Sequence, residues 1–286
     1  MLLFAPPKNR TKRSSGHYMN QLPSRSLKHL GIALATVVFM RTSTAGQPTP
    51  PPADAATKGR GFLVGLLDPD LGLLPEYRGA KIYWLFHDNY LAAKVLSASH
   101  PKIAQTIRAA IEREGVKKSG KIEILFGEAE KPLPFRKYEL TDVRRAENKL
   151  VRTEIVTATE SQSWTKYADL LLLASMAEPN REAARQHWDE ALKMWDGNGF
   201  LDAAAKHNHL YATYKLALAL IASNRLSPPA KVPDGLLDKL RSLQDDSGGW
   251  ITDYDATGKK VGLANVETTC LSILGIEASA AAKPPK

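Results

Sequence analysis

Three carboxylates, Asp88, Asp169 and Glu267, each stand at the head of a long apolar run, and His87 adjoins the first of them. The runs are residues 84–98 (WLFHDNYLAAKVLSA), 164–176 (WTKYADLLLLASM), 209–223 (HLYATYKLALALIAS) and 265–276 (NVETTCLSILGI). Aligned on their apolar starts, they place Asn89, Asp169, Thr213 and Glu267 at equivalent early positions, with Asp88, Tyr167, Tyr211 and Asn265 beside them. Helix N-termini carry partial positive charge and unpaired N–H groups, so several brought together attract anions and hydroxyl-rich ligands. Two carboxyls facing each other across a cavity can act as acid and base on a glycosidic bond, and Asp88 or Asp169 opposite Glu267 is that pair here. His87 is a further acid or base at the rim. Trp84, Trp164 and Trp250 offer flat faces for sugar rings, or apolar surface for an isoprenoid. The same acids equally suit plain helix capping, and the tryptophans plain core packing. Convergence of the carboxyls in one place is what separates the two readings.

The elements that must position these groups are helices. Ala and Leu fill the second half of each run, and the runs are apolar nearly all round, as expected of helices buried on several sides. More polar, amphipathic segments alternate with them. Residues 101–114 carry Ile103, Ile107, Ala110 and Ile111 on one face, and residues 180–195 carry Ala184, Trp188, Ala191 and Trp195; residues 236–243 form a shorter candidate. Buried helix alternating with half-exposed helix predicts stacked α-hairpins. The widest gap between runs holds residues 121–126 (KIEILF) and 151–157 (VRTEIVT), both with period-2 patterning, which predicts a small β insertion at about 119–158. The fold class expected is therefore mainly α: an α-hairpin toroid or partial (α/α) barrel over residues 62–278 with a β insertion, followed by a flexible tail at 279–286.

The stretch Leu243-Gln244-Asp245-Asp246-Ser247-Gly248-Gly249-Trp250, followed by a polar turn and a helix, resembles the Gln-to-Trp repeat of α/α-toroid proteins. Terpenoid cyclases and protein prenyltransferases belong to that class, and glycan-active (α/α) barrels more loosely. Only about thirty C-terminal residues carry the resemblance in detail. The segment Tyr83-Trp84-Leu85-Phe86-His87-Asp88-Asn89-Tyr90 also resembles part of exported archaeal proteins, a similarity that implies no activity. The chain lacks the Asp-x-Asp-Asp motif of the cyclases and the Cys and His ligands of the prenyltransferase zinc. Four hairpins are fewer than the six of a closed ring, so the expectation is an open arc, or a ring closed by dimerising.

Charge bears on partners. The chain has 39 Lys and Arg against 30 Asp and Glu, a formal net charge of +9. Seven of those bases and none of the acids lie in residues 1–45, so the rest holds 32 bases against 30 acids. The surplus belongs to the leader, which argues against a nucleic-acid partner. Within it, residues 30–40 (LGIALATVVFM) form an apolar run too short to span a membrane, preceded by Arg25, Lys28 and His29 and followed by Ser43-Thr44-Ala45. That order predicts a secretory signal cut after Ala45, with Met19 as the true start, and a secreted or cell-envelope location. The alternative is an uncleaved membrane anchor. Residues 46–61 begin Pro-rich and read as a linker.

The other motifs are mostly negative. The single cysteine, Cys270, sits in an apolar run and reads as a buried, inert thiol. Asp253-Tyr254-Asp255-Ala256-Thr257-Gly258 starts like a calcium loop but has Ala264 where the closing acid belongs, so it reads as a turn. His187, His207 and His209 lack metal-helix spacing. No cofactor or metal is called for, and no phosphate loop, Gly-x-Ser-x-Gly or metalloprotease helix occurs. Three functions remain: a glycan-binding or glycan-processing protein, a non-catalytic binding or scaffold module of the envelope, and an isoprenoid-handling protein.

Overall fold

The computed structural model describes residues 52–116, 121–129 and 135–281. The expected leader, with its start at Met19 and its cut after Ala45, falls outside the described residues. All four apolar runs are helical. The first opens with a wide π-helical turn (Leu85–Tyr90) and continues as α2 (Leu91–Leu96); the others are α4 (Ala168–Ala177), α7 (Thr213–Arg225) and α9 (Val266–Ala281). They pack side by side, α2 on α9, α9 on α7 and α7 on α4. The amphipathic segments lie outside: α3 (Pro101–Arg113) on α2 and α5 (Arg181–Leu192) on α4. Asn180 caps α5, its side chain accepting from the N–H groups of Glu182 and Ala183. The short helices α6 (Ala203–Asn208) and α8 (Leu236–Ser242) complete the set with α1 (Pro52–Val64), which packs on α9.

Strands are more extensive than a single insertion. One three-stranded sheet has the order β1 (Ile82–Trp84), β3 (Lys149–Glu160), β2 (Arg136–Ala146), with β1 parallel and β2 antiparallel to β3. The other is antiparallel, in the order β4 (Tyr211–Ala212), β5 (Trp250–Tyr254), β6 (Lys260–Asn265). About half of the described residues are helix and about a fifth strand, so the fold is mixed α and β. This overturns the expected mainly α toroid or partial barrel. The Gln-to-Trp stretch that suggested it is a tight loop feeding a strand. Gln244 donates to the carbonyls of Ala55 and Gly248, Asp245 turns the chain, and Trp250 starts β5.

Two further expectations differ. The Pro-rich linker gives way to helix at Pro52, because proline suits a first helical position and the Ala-rich stretch after it propagates the turn. Residues 121–126 form a 3₁₀ turn (Ile122–Phe126) rather than a strand, burying Ile122, Ile124 and Leu125 together. Among the described residues no helix is long and apolar enough to cross a membrane.

α9 is buried nearly all round, and close approach makes that possible. A Cβ on Gly275 would stand 2.9 Å from the carbonyl oxygen of Ala217 on α7, whereas one on Gly61 in α1 would meet nothing within 4 Å. Gly275→Leu should therefore destabilise the chain by about 1–3 kcal/mol through overpacking. Gly61→Ala should stabilise it by about 0.5–1 kcal/mol. Thermal unfolding checks both; a Tm for Gly275→Leu equal to the parent's would show that the α7–α9 contact is loose.

Candidate functional site

Six carboxyl side chains and two ammonium groups are buried among the described residues: Asp88, Glu123, Glu154, Asp169, Asp202 and Glu267 with Lys121 and Lys215. Charged groups are rarely buried without partners, so this concentration marks where the structure departs from ordinary core packing.

The π-helical turn aims three consecutive polar residues at three neighbours. His87 Nε2 lies 3.4 Å from Glu154 Oε2 on β3. Burial, helped by the nearby charge of Lys121, lowers the His87 pKa to about 3, so its imidazole is neutral. Asp88 faces the start of α9. Asn89 is committed to the backbone: its side chain accepts from Leu74 N–H and donates to the carbonyls of Leu74 and Trp84. π-helical turns of this kind often mark functional positions.

At the head of α4, Asp169 takes a 3.3 Å hydrogen bond from the Tyr214 hydroxyl and lies 3.8 Å from Lys215 Nζ. Lys215 is held at 2.5 Å by Asp202, whose carboxylate also accepts from Ala168 N–H and caps α6. Burial raises the proton affinity of Asp169, and Lys215 pulls it back. Glu267, in the first turn of α9, is pushed well above the usual carboxylate range by burial and then by Asp88 and Glu154. Asp88 is pushed the same way by burial and Glu76. Lys121 and Glu154 attract each other, yet burial lowers the first and raises the second. Tyr214, on α7, senses Asp169 at the head of α4, Asp202 at the head of α6, Glu267 on α9 and Asp253 on β5. Glu267 thus feels the charges of Asp88 and of Glu154, against which His87 lies, while Asp169 is paired with Lys215 and Asp202; Tyr214, which feels both Asp169 and Glu267, stands between the two groups.

Several polar atoms there have no hydrogen-bond partner: Asp88 Oδ2, Glu154 Oε2, Asp169 Oδ1, Glu267 Oε1, Thr213 Oγ1 and Trp84 Nε1. Buried polar atoms are ordinarily satisfied, so a run of exceptions in one place calls for a water, a proton or a ligand. Trp84 packs edge-on to His87, with ring centroids 6.4 Å apart.

The remaining sequence candidates do other work. Trp250 is fully buried and its indole donates to Leu240 carbonyl, which leaves no face for a sugar. Trp164 packs against Phe135 and His187. Tyr211 stacks on Tyr254 and donates to Asp196. Asn265 caps α9 through Thr268 N–H, and Tyr167 occupies the N-cap position of α4. Cys270 is buried, its thiol pushed up by burial. Asp255 organises the β5–β6 turn by accepting from the N–H groups of Thr257 and Lys259.

Sequence reasoning missed Lys121, Glu154, Asp202, Tyr214 and Lys215. Lys215 left a signal: a lone lysine within an apolar helical run (TYKLALAL) must find an acid partner. Among the described residues no group of three or more His, Cys, Asp or Glu is arranged to hold a metal ion. Compared with known proteins, the chain matches no family model and no curated protein.

Two outcomes follow from the buried charges. In the unfolded chain Asp88 and Glu267 lose their protons near pH 4, whereas in the folded chain they hold them higher. The folded state then binds more protons, and stability falls as pH rises above about 4. His87 opposes this between about pH 6.5 and its folded value of about 3, because only the unfolded form protonates there. Glu267→Gln and Asp88→Asn should each raise Tm at pH 8 and flatten its fall with pH; an unchanged slope in both would show that these carboxyls are solvated. Lys215→Met should cost about 3–5 kcal/mol by stranding Asp202, read in urea unfolding.

Proposed function

We propose that the carboxyl cluster is the working site of an exported protein and that it binds or processes a glycan. One observation carries the reading: the buried carboxyls of Asp88 and Glu267, from two different helix starts, lie within reach of each other's charge and of the Glu154 beside a neutral His87, and each has an oxygen that lacks a hydrogen-bond partner, as does Asp169 at a third helix start. Sugar hydroxyls donate to such oxygens, and the Trp84 indole supplies a donor in return. Carboxyls held protonated by burial suit a general acid, the half of glycosidic chemistry that an ordinary ionised carboxylate cannot perform. The acids are only 2–4% exposed, so a ligand reaches them with movement of the surrounding chain.

That enclosure also favours a second reading, a binding module without turnover. Leu140, Ile155 and Val156 of the β2–β3 hairpin are exposed apolar residues on a long, two-stranded projection, a feature suited to a partner surface.

A binding screen of the full chain against a panel of oligosaccharides, repeated with Asp169→Ala and Glu267→Gln, tests the first reading. Binding of at least one glycan, weakened tenfold or more in both folded variants, is expected. Unchanged affinity in both variants removes the carboxyl cluster from the function, and turnover of the bound glycan separates enzyme from binding module.

A further inference from the structure

One charged contact in the interior joins two side chains that can condense. Lys215 Nζ lies 2.5 Å from Asp202 Oδ2, the oxygen bonded to the carboxyl carbon. Lys215 and Asp202 are 2% and 1% exposed, so bulk water is excluded from the pair. Asp202 Oδ1 accepts from the N–H groups of Ala204 and Ala205 at 3.0 and 3.1 Å. Two backbone donors on one carboxyl oxygen are the arrangement that stabilises the oxyanion of a tetrahedral intermediate. A second acid stands by: Asp169 Oδ1 lies 3.8 Å from the same Nζ and has no hydrogen-bond partner, while Asp169 Oδ2 accepts from the Tyr214 hydroxyl. Such catalytic contacts tighten as the reaction proceeds. Groups held this way react as if at an effective concentration of about 10⁵–10⁸ M in favourable geometry.

We propose that Lys215 and Asp202 join in an intramolecular isopeptide bond, with Asp169 as the proton carrier. The inference is independent of the glycan reading. The first proton crosses the 2.5 Å contact from the Lys215 ammonium to Asp202 Oδ2, leaving an amine facing a carboxylic acid. The Nζ lone pair attacks the Asp202 carboxyl carbon, and the carbonyl electron pair moves onto Oδ1, in front of Ala204 and Ala205 N–H. Asp169 takes a second proton from Nζ and delivers it to Oδ2. The C–Oδ2 bond breaks, one water leaves, and Oδ1 becomes the oxygen of a secondary amide. Asp169 ends as it began, and no oxidant or further reactant is consumed. The Ala168 N–H loses Oδ2 as its acceptor, a cost offset by the disappearance of two buried charges. The chain has one cysteine and therefore no disulfide within itself, so this bond is a covalent brace of another kind, tying α7 to the head of α6.

Mass spectrometry of the full chain, folded and then denatured, tests the proposal without any variant. Its mass should fall short of the sum of its residues, counted from its own N-terminus, by one water. Fragmentation should yield no backbone-cleavage products between Asp202 and Lys215, because the ring holds the two halves together. Lys215→Met should restore the full mass. Asp169→Asn, with the circular dichroism of the parent, should leave the two side chains unjoined. A parent chain at full mass overturns the bond, and so does a water lost outside the segment from Asp202 to Lys215 or a loss that persists in Lys215→Met. A joined Asp169→Asn overturns Asp169 as the proton carrier. Should either variant fail to fold, the mass and fragmentation of the parent decide the bond alone.

Discussion

Burying a carboxylate without a counter-charge is among the costliest acts in folding, and this interior does it repeatedly. Among the described residues six buried acids stand against two buried lysines, so full ionisation carries a heavy cost that protonation, bridging or a cation offsets. Lys215 is where the constraint is tightest. Its ammonium joins Asp202 and Asp169, and Asp202 in turn holds the head of α4 through Ala168 N–H and the head of α6 through Ala204 and Ala205 N–H. One ion pair therefore fixes the relation of three helices. Its desolvation cost is offset because each oxygen of Asp202 is occupied, which is the condition under which a buried pair is tolerated.

The same economy is absent at the other end of the cluster. Asp88 and Glu267 sit at helix starts, where the macrodipole favours negative charge by a few tenths to about 1 kcal/mol. That is small beside the cost of removing a carboxylate from water, so burial prevails and raises the proton affinity of both groups. Asn89, one position from Asp88, shows what a structural polar residue looks like here: three hydrogen bonds, all to backbone, and nothing left over. The contrast between Asn89 and Asp88 on a single turn distinguishes a residue that holds the fold from one that the fold holds in reserve.

Periodicity made the helices legible, because a continuous Ala/Leu run leaves few alternatives, and the heads of those runs gave the acids. What it did not give was the company they keep. Glu154 lies on β3, where Leu150, Val151, Thr153 and Glu154 are all buried, so both faces of the strand are covered there and a period-2 reading could not assign its face. Lys121 enters the interior on a 3₁₀ turn that the pattern KIEILF disguised as a strand. The second sheet was hidden for a different reason. β4 has two residues and β5 five, too short for alternation to register; the Asp255 turn sets the pairing of β5 with β6, and β4 joins from a distant part of the chain through Tyr211 and Ala212. Short strands and loop-borne charges depend on tertiary context, and the toroid expectation failed on them.

A closed acid cluster also sets how chemistry there must begin. Protonated carboxyls in a dry interior are poor bases and poor electrostatic partners for a neutral ligand, but each becomes a strong anion once a cation or a donor-rich group replaces its proton. Asp88 Oδ2 and Glu267 Oε1 lack hydrogen-bond partners, so any donor brought to them would offset a desolvation cost already present in the fold. Binding and folding stability are then coupled through the same two oxygens. A substitution that makes the core more comfortable, by replacing either acid with its amide, gains stability by discarding the unsatisfied charge that recognition would use.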